Sequence, residues 1–134
     1  MPPGRDDPAD PRAWLRRARS NLARARVPPP TPEVLYEDLC FDAQQAAEKA
    51  IKAVLVHRAV SFPKTHDLNH LLSLAARNGI DIPPPIREAD RLTRHAFESR
   101  YPGPWSVSAQ DWVHAVALAE GVVRWAEALI VGAG

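Results

Sequence analysis

The sequence predicts an all-α protein: an up-and-down bundle of about five helices, four long and one short. Three observations carry the prediction. The fourteen prolines are clustered rather than scattered. They fall in the N-terminal tail, in VPPPTP (27–32), at Pro63, in IPPPI (82–86) and in YPGP (101–104). Between the clusters, alanine, leucine, arginine and glutamate dominate, and apolar residues recur at spacings of three and four. No stretch shows the period-two alternation of β-branched residues that a strand needs. Proline stops a helix and is tolerated in its first turn, so the clusters act as punctuation.

The first helix is expected over Pro11 to Ala25, with Asp10 as N-cap and Trp14, Leu15, Ala18 and Leu22 as its apolar stripe. The second and longest is expected over Thr31 to Ala59. Thr31 would cap it, Pro32 would take the first position, and Glu33 would face the positive end of the dipole. Leu35, Leu39, Ala43, Ala46, Ala47, Ala50, Ile51 and Val54 cover a wide arc of this helix, so it should be central and touch several neighbours. Asp42 sits at the edge of that arc, and Gln45, Lys49 and Lys52 lie to one side. The loop SFPKTHDL leads to a short third helix, Asp67 to Arg77, stopped by Asn78-Gly79. Thr65, His66 and Asp67 are its capping candidates.

The fourth helix should begin within IPPPI and run to Ser99, ended by Tyr101-Pro102-Gly103. The fifth should run from Ser108 to Val131, opening on a capping-box pattern of Ser108 and Asp111. It carries two apolar seams. Trp112, Val116, Ala119, Val123, Ala126 and Ile130 make a core seam. Leu118, Val122, Trp125 and Leu129 make a second one, which predicts a homodimer interface. Cover by the first helix or the tail is the alternative.

Length fits a single domain over residues 10–131, after a tail over 1–9 expected to be disordered. Seventeen basic and sixteen acidic side chains leave a formal net charge of +1. No global field attracts nucleic acid, DNA is not expected as a partner, and any anion site must be local. The lone Cys40 rules out an internal disulfide and a cysteine-based zinc cluster; it reads as a small core residue. No apolar run approaches the ~20 residues that cross a bilayer. The start MPPGRDDPADP lacks the apolar segment of a signal peptide, which points to the cytoplasm. There is no Gly-rich phosphate loop, no Gly-x-Ser-x-Gly and no His-Glu-x-x-His, so no cofactor is implied. His66 and His70 have a chelating i, i+4 spacing but no evident third ligand, so no metal is assigned.

The runs FDAQQAAEKAIKAVLVHRAVSFPKTHDLNHLL and RLTRHAFESRYPG carry a resemblance. A glutamine-alanine-glutamate-lysine-alanine helix, a Pro-Lys-Thr-His-Asp-Leu loop and an Arg-Tyr-Pro turn before the last helix occur in that order. Together they resemble the HEPN domain family, from about Ala13 to Leu129. The resemblance implies a helical bundle that commonly forms a homodimer. Such proteins are often encoded beside a minimal nucleotidyltransferase in toxin–antitoxin modules. Many are metal-independent ribonucleases; others are non-catalytic and bind nucleotides or other polyanions.

The ribonuclease members are similar in having an arginine followed, after four to six residues, by a histidine. The imidazole moves protons and the guanidinium grips phosphate. None of His57, His66, His70, His95 and His114 has an arginine at that spacing. Arg91 is four positions before His95 and Arg87 eight before it. No catalytic residue is therefore assigned, with an atypical ribonuclease using Arg91, Arg94 and His95 as the alternative. Arg87, Arg91, Arg94 and His95 share one face of the fourth helix. The simpler reading is a solvated charged face; the sharper one is a phosphate-binding strip. If the fourth helix persists to its end, Arg100 should point to the apolar side and would need a partner, for which Asp42 is a candidate. Arg100 and Tyr101 either lock the turn or line a nucleotide pocket. Lys64 and His66 complete the candidate ligand residues.

The expected function is a helical, HEPN-like partner of a minimal nucleotidyltransferase. It would bind nucleotide, RNA or that protein, without catalysis of its own. A structural dimerisation adaptor is the remaining alternative.

Overall fold

The computed structural model describes residues 6–93, 102–103 and 106–132. Helix α1 spans Pro11–Arg26, and the Asp10 carboxylate accepts from the Arg12 N–H at its start, with Pro11 in the first turn. It buries Ala13, Leu15, Ala18, Leu22 and Ala25. The polyproline run then prevents its continuation.

Helix α2 spans Tyr36–His57, so it begins five residues after the expected Thr31 (36 − 31). Thr31 does cap locally. Its hydroxyl accepts from the Glu33 N–H, but the Thr31 carbonyl accepts from Val34 at 3.1 Å and closes a turn. Leu35 is then extended (φ −90°, ψ 146°), and the helix restarts after it with Glu37 and Asp38 in its first turn. A tertiary contact holds the new start in place, because the Glu37 carboxylate accepts from the Val107 N–H at 3.1 Å.

The end of α2 is a Schellman motif. Val60 N–H reaches the Leu55 carbonyl at 2.8 Å and Ala59 N–H the Val56 carbonyl at 3.0 Å. Ala59 takes the left-handed position, φ 57°, where glycine is usual. Helix α3, Leu68–Arg77, ends the same way with Gly79 at φ 84° and Ile80 bonding back to Ala75. Asp67 is its N-cap and accepts from the Asn69 N–H at 3.0 Å.

The expected fourth helix is interrupted. Helix α4 covers Pro84–Arg87, a 3-10 turn follows over Glu88–Asp90, and residues 91–93 are helical. Ile86, Ala89 and Leu92 are all buried. Their spacing of three is the one that 3-10 winding brings into line. The Thr93 hydroxyl accepts from the Leu68 N–H at 3.1 Å and ties this stretch to the start of α3.

Helix α5, Ala109–Val131, opens on the full Ser108–Asp111 capping box. Its first seam faces the core. The Trp112 indole N–H donates to the Ala25 carbonyl at 2.7 Å and satisfies a terminal carbonyl of α1. The second seam divides. Val122 is fully buried within the chain, so it belongs to the core and not to an interface. Leu118 and Trp125 are half-buried and Leu129 is exposed.

Helix α2 lies between α1 and α5, which also touch each other, while α3 packs on α2. Alanines at 43, 46, 47, 50 and 53 are fully buried and let the neighbours approach closely. No strand occurs among the described residues. The tail expected to be disordered is held from Asp6 onward. Trp14 donates its indole N–H to the Pro8 carbonyl at 2.9 Å, and Asp6 pairs with Arg16 and Arg17.

Candidate functional site: a polar hub on the central helix

Helix α2 is not apolar all round. Asp42, Gln44, Glu48 and Lys52 are buried within it. A buried charge is costly unless it is paired and hydrogen-bonded, so each must have partners.

Glu48 is the hub. One carboxylate oxygen, Oε2, accepts from Lys52 Nζ at 2.9 Å, one helical turn on. The other, Oε1, lies 2.9 Å from His66 Nδ1 and 3.3 Å from Gln44 Nε2. Gln44 also donates to the His66 carbonyl at 2.9 Å, and Gln45 donates to Gln44 Oε1 at 2.8 Å. The loop that carries Pro-Lys-Thr-His-Asp-Leu is thus gripped through both the backbone and the ring of His66. Lys52 is further enclosed by aromatic faces, 5.9 Å from the Trp14 ring centroid and 5.6 Å from that of Phe62. Those two rings meet edge to face at 6.0 Å.

A second cluster bridges α1 and α2. Asn21 donates to Asp42 Oδ1 at 3.1 Å and accepts from Lys49 Nζ at 2.7 Å. Arg24 Nε lies 3.4 Å from Asp42 Oδ2. The described partners of Asp42 are therefore Asn21 and Arg24. Burial lowers the Lys49 pKa below its usual 10.5, and the positive charge of Arg17 lowers it further. Cys40 lies in the core, where burial, with Asp111 and Glu37 nearby, raises its pKa to about 12.

The predicted site residues do not form one constellation. Lys64, Arg87 and Arg91 are exposed, and Arg91 pairs with Glu88 at 3.2 Å. The His66 side chain is 65% exposed although its ring is anchored to buried Glu48. His70 is also exposed, on α3. Arg94, His95, Arg100 and Tyr101 lie outside the described residues. Sequence reasoning missed Gln44, Glu48 and Lys52 as a unit. Their i, i+4, i+8 spacing within an alanine-rich arc was the available signal. It also missed His114, which lines a cleft of about 230 Å³ with Arg91, Leu92, Asp111 and Leu118. Among the described residues, no helix is long and apolar enough to cross a membrane.

The fold and the hub define an all-α bundle whose central helix holds a histidine loop through a buried carboxylate. The HEPN domain family model matches residues 11–129. The chain therefore belongs to the HEPN domain family. It is also similar to the crystal structure of an archaeal HEPN homologue, with 26% identity and a TM-score of 0.69. The match covers 90% of this chain and 98% of that one. A comparison with curated proteins gives no match.

Proposed function

We propose that this HEPN protein works by binding rather than by cutting. It would be the helical partner of a minimal nucleotidyltransferase in a toxin–antitoxin-type module, engaging nucleotide, RNA or that enzyme. The observation that carries this reading is the role of the residues behind the family likeness. Gln44, Glu48, Lys52 and His66 hold the loop to the bundle. They supply no arginine–histidine pair at nuclease spacing. The exposed Arg87, Arg91 and Lys64 then offer contacts for phosphate or for an acidic partner surface.

An atypical ribonuclease is the second reading, favoured by one observation. Arg91 and His114 line the same cleft although they are 23 positions apart (114 − 91). Such a pair could grip a phosphate and move a proton. RNA cleavage by purified protein, with His95→Ala and His114→Ala as controls, separates the readings. Cleavage lost in either variant overturns the binding reading. No cleavage by wild-type protein, together with a calorimetric signal on nucleotide titration or co-purification with the co-expressed nucleotidyltransferase, supports it. A homodimer through Leu118, Trp125 and Leu129 belongs to the same proposal and is read by sedimentation.

A further inference from the structure

The Asp6 carboxylate is clasped by two guanidiniums. Its Oδ1 lies 2.7 Å from Arg16 Nη2 and 2.8 Å from Arg17 Nη2. All three side chains are about half exposed, and Asp6 comes from the tail rather than from the bundle. Beside this clasp lies a cleft of about 260 Å³, lined by Asp6, Pro8, Ala13, Trp14 and Arg17. The cleft therefore has an apolar wall with an indole, and a cationic lip with a carboxylate already seated on it.

We propose that this cleft is a binding site for a mononucleotide phosphate, and that the Asp6 carboxylate holds the phosphate position until a nucleotide takes it. The inference rests on the nucleotide option of the binding function above and gives it an address. Two guanidiniums converging on one anion are the usual recognition of phosphate. Trp14, Ala13 and Pro8 offer a base the apolar contact that nucleobases take from aromatic side chains. The size limits the ligand. At about 260 Å³ the cleft lies just below the roughly 300 Å³ at which pockets for drug-sized molecules begin, so it takes at most a single nucleotide, part of it left in solvent, and not a longer strand.

The local field favours the exchange. Arg16 and Arg17 both reach Asp6 Oδ1, and the positive charge of Arg17 is also felt at Lys49, opposed there by Glu48 and Asp42. Asp42 and Glu48 are held elsewhere, by Asn21, Arg24, Lys52 and His66. Among the described residues Asp6 is thus the anion paired with Arg16 and Arg17, and a phosphate carrying more charge displaces it without disturbing the core. The tail acts as a tethered competitor, so it weakens ligand binding while it is seated.

Titration calorimetry with AMP tests this on wild-type protein, Asp6→Asn, and Arg16→Ala/Arg17→Ala. Because the substituted groups are exposed, all three proteins should keep one melting temperature, which controls for folding. AMP should bind Asp6→Asn about twofold to fivefold more tightly than wild type, as expected when surface ion pairs no longer compete. It should bind the double variant at least about tenfold more weakly. Equal affinity for all three proteins overturns the site and leaves a nucleotide-binding function standing elsewhere on the chain. AMP binding to none of them overturns the site and the nucleotide option together, leaving RNA or the partner protein. Weaker binding to Asp6→Asn than to wild type also overturns it, because Asp6 would then help the ligand rather than compete with it.

Discussion

Glu48→Gln is the perturbation that most directly tests the polar hub. The change keeps the shape of the side chain and removes its charge. Lys52, with a side chain only 10% exposed, then loses the carboxylate 2.9 Å away. Removing one partner of a buried ion pair costs about 3–5 kcal/mol, mostly as the uncompensated charge left behind. The Trp14 and Phe62 faces near Lys52 recover part of this, so about 3 kcal/mol is expected. A domain of this size has about 5–15 kcal/mol in total. The melting temperature should fall by about 10–15 °C. The second arm is Glu48→Gln/Lys52→Met, which removes the stranded cation and fills its space with apolar atoms. It should regain most of the loss, since a buried pair replaced by apolar groups is often close to neutral. Chemical denaturation of the two variants and of Lys52→Met completes a double-mutant cycle. A loss below about 1 kcal/mol for Glu48→Gln, or no recovery in the double variant, would refute the reasoning.

Other perturbations follow from the same geometry. Ala59→Gly should raise stability by about 0.5–1 kcal/mol, because Ala59 holds a left-handed conformation that glycine adopts freely; denaturant midpoints read it. Trp112→Phe should cost about 1–3 kcal/mol, since the Ala25 carbonyl loses its indole donor at 2.7 Å. Cys40, with its pKa raised to about 12, should react with iodoacetamide at pH 8 at least about a thousandfold more slowly than a free thiol, and at the normal rate once the chain is unfolded. Folding lowers the Lys49 pKa, so just below pH 10.5 the unfolded chain binds more protons than the folded one. Stability should therefore rise with pH through that window, and Lys49→Met should flatten the rise.

Much of the fold was legible because its signals are local. The caps at Asp10, Asp67 and Ser108 and the stop at Gly79 act within a few residues, and all four form. The start of α2 misled because two local preferences coincide at Thr31. A hydroxyl that caps a helix also closes a turn, and the distant Val107–Glu37 bond favours a start at Tyr36. The 3-10 turn at Glu88–Asp90 was hidden for a similar reason. Burial of Ile86, Ala89 and Leu92 against the bundle sets its winding, not propensity.

The candidate site was less legible. His66 was conspicuous in the sequence, but its partner Glu48 sits 18 positions earlier on another element. The same holds for Val122. A seam of period three and four shows that a helix face is apolar, but not whether the same chain covers it. The sequence alone settled the all-α class, the first, third and last helices with their caps, and the family likeness, because spacing, caps and prolines act along the chain. Which polar groups are buried, what each one pairs with, and which cations Asp6 occupies were decided by the tertiary structure. Those outcomes depend on desolvation and on contacts between segments far apart in sequence, and only packing brings them together.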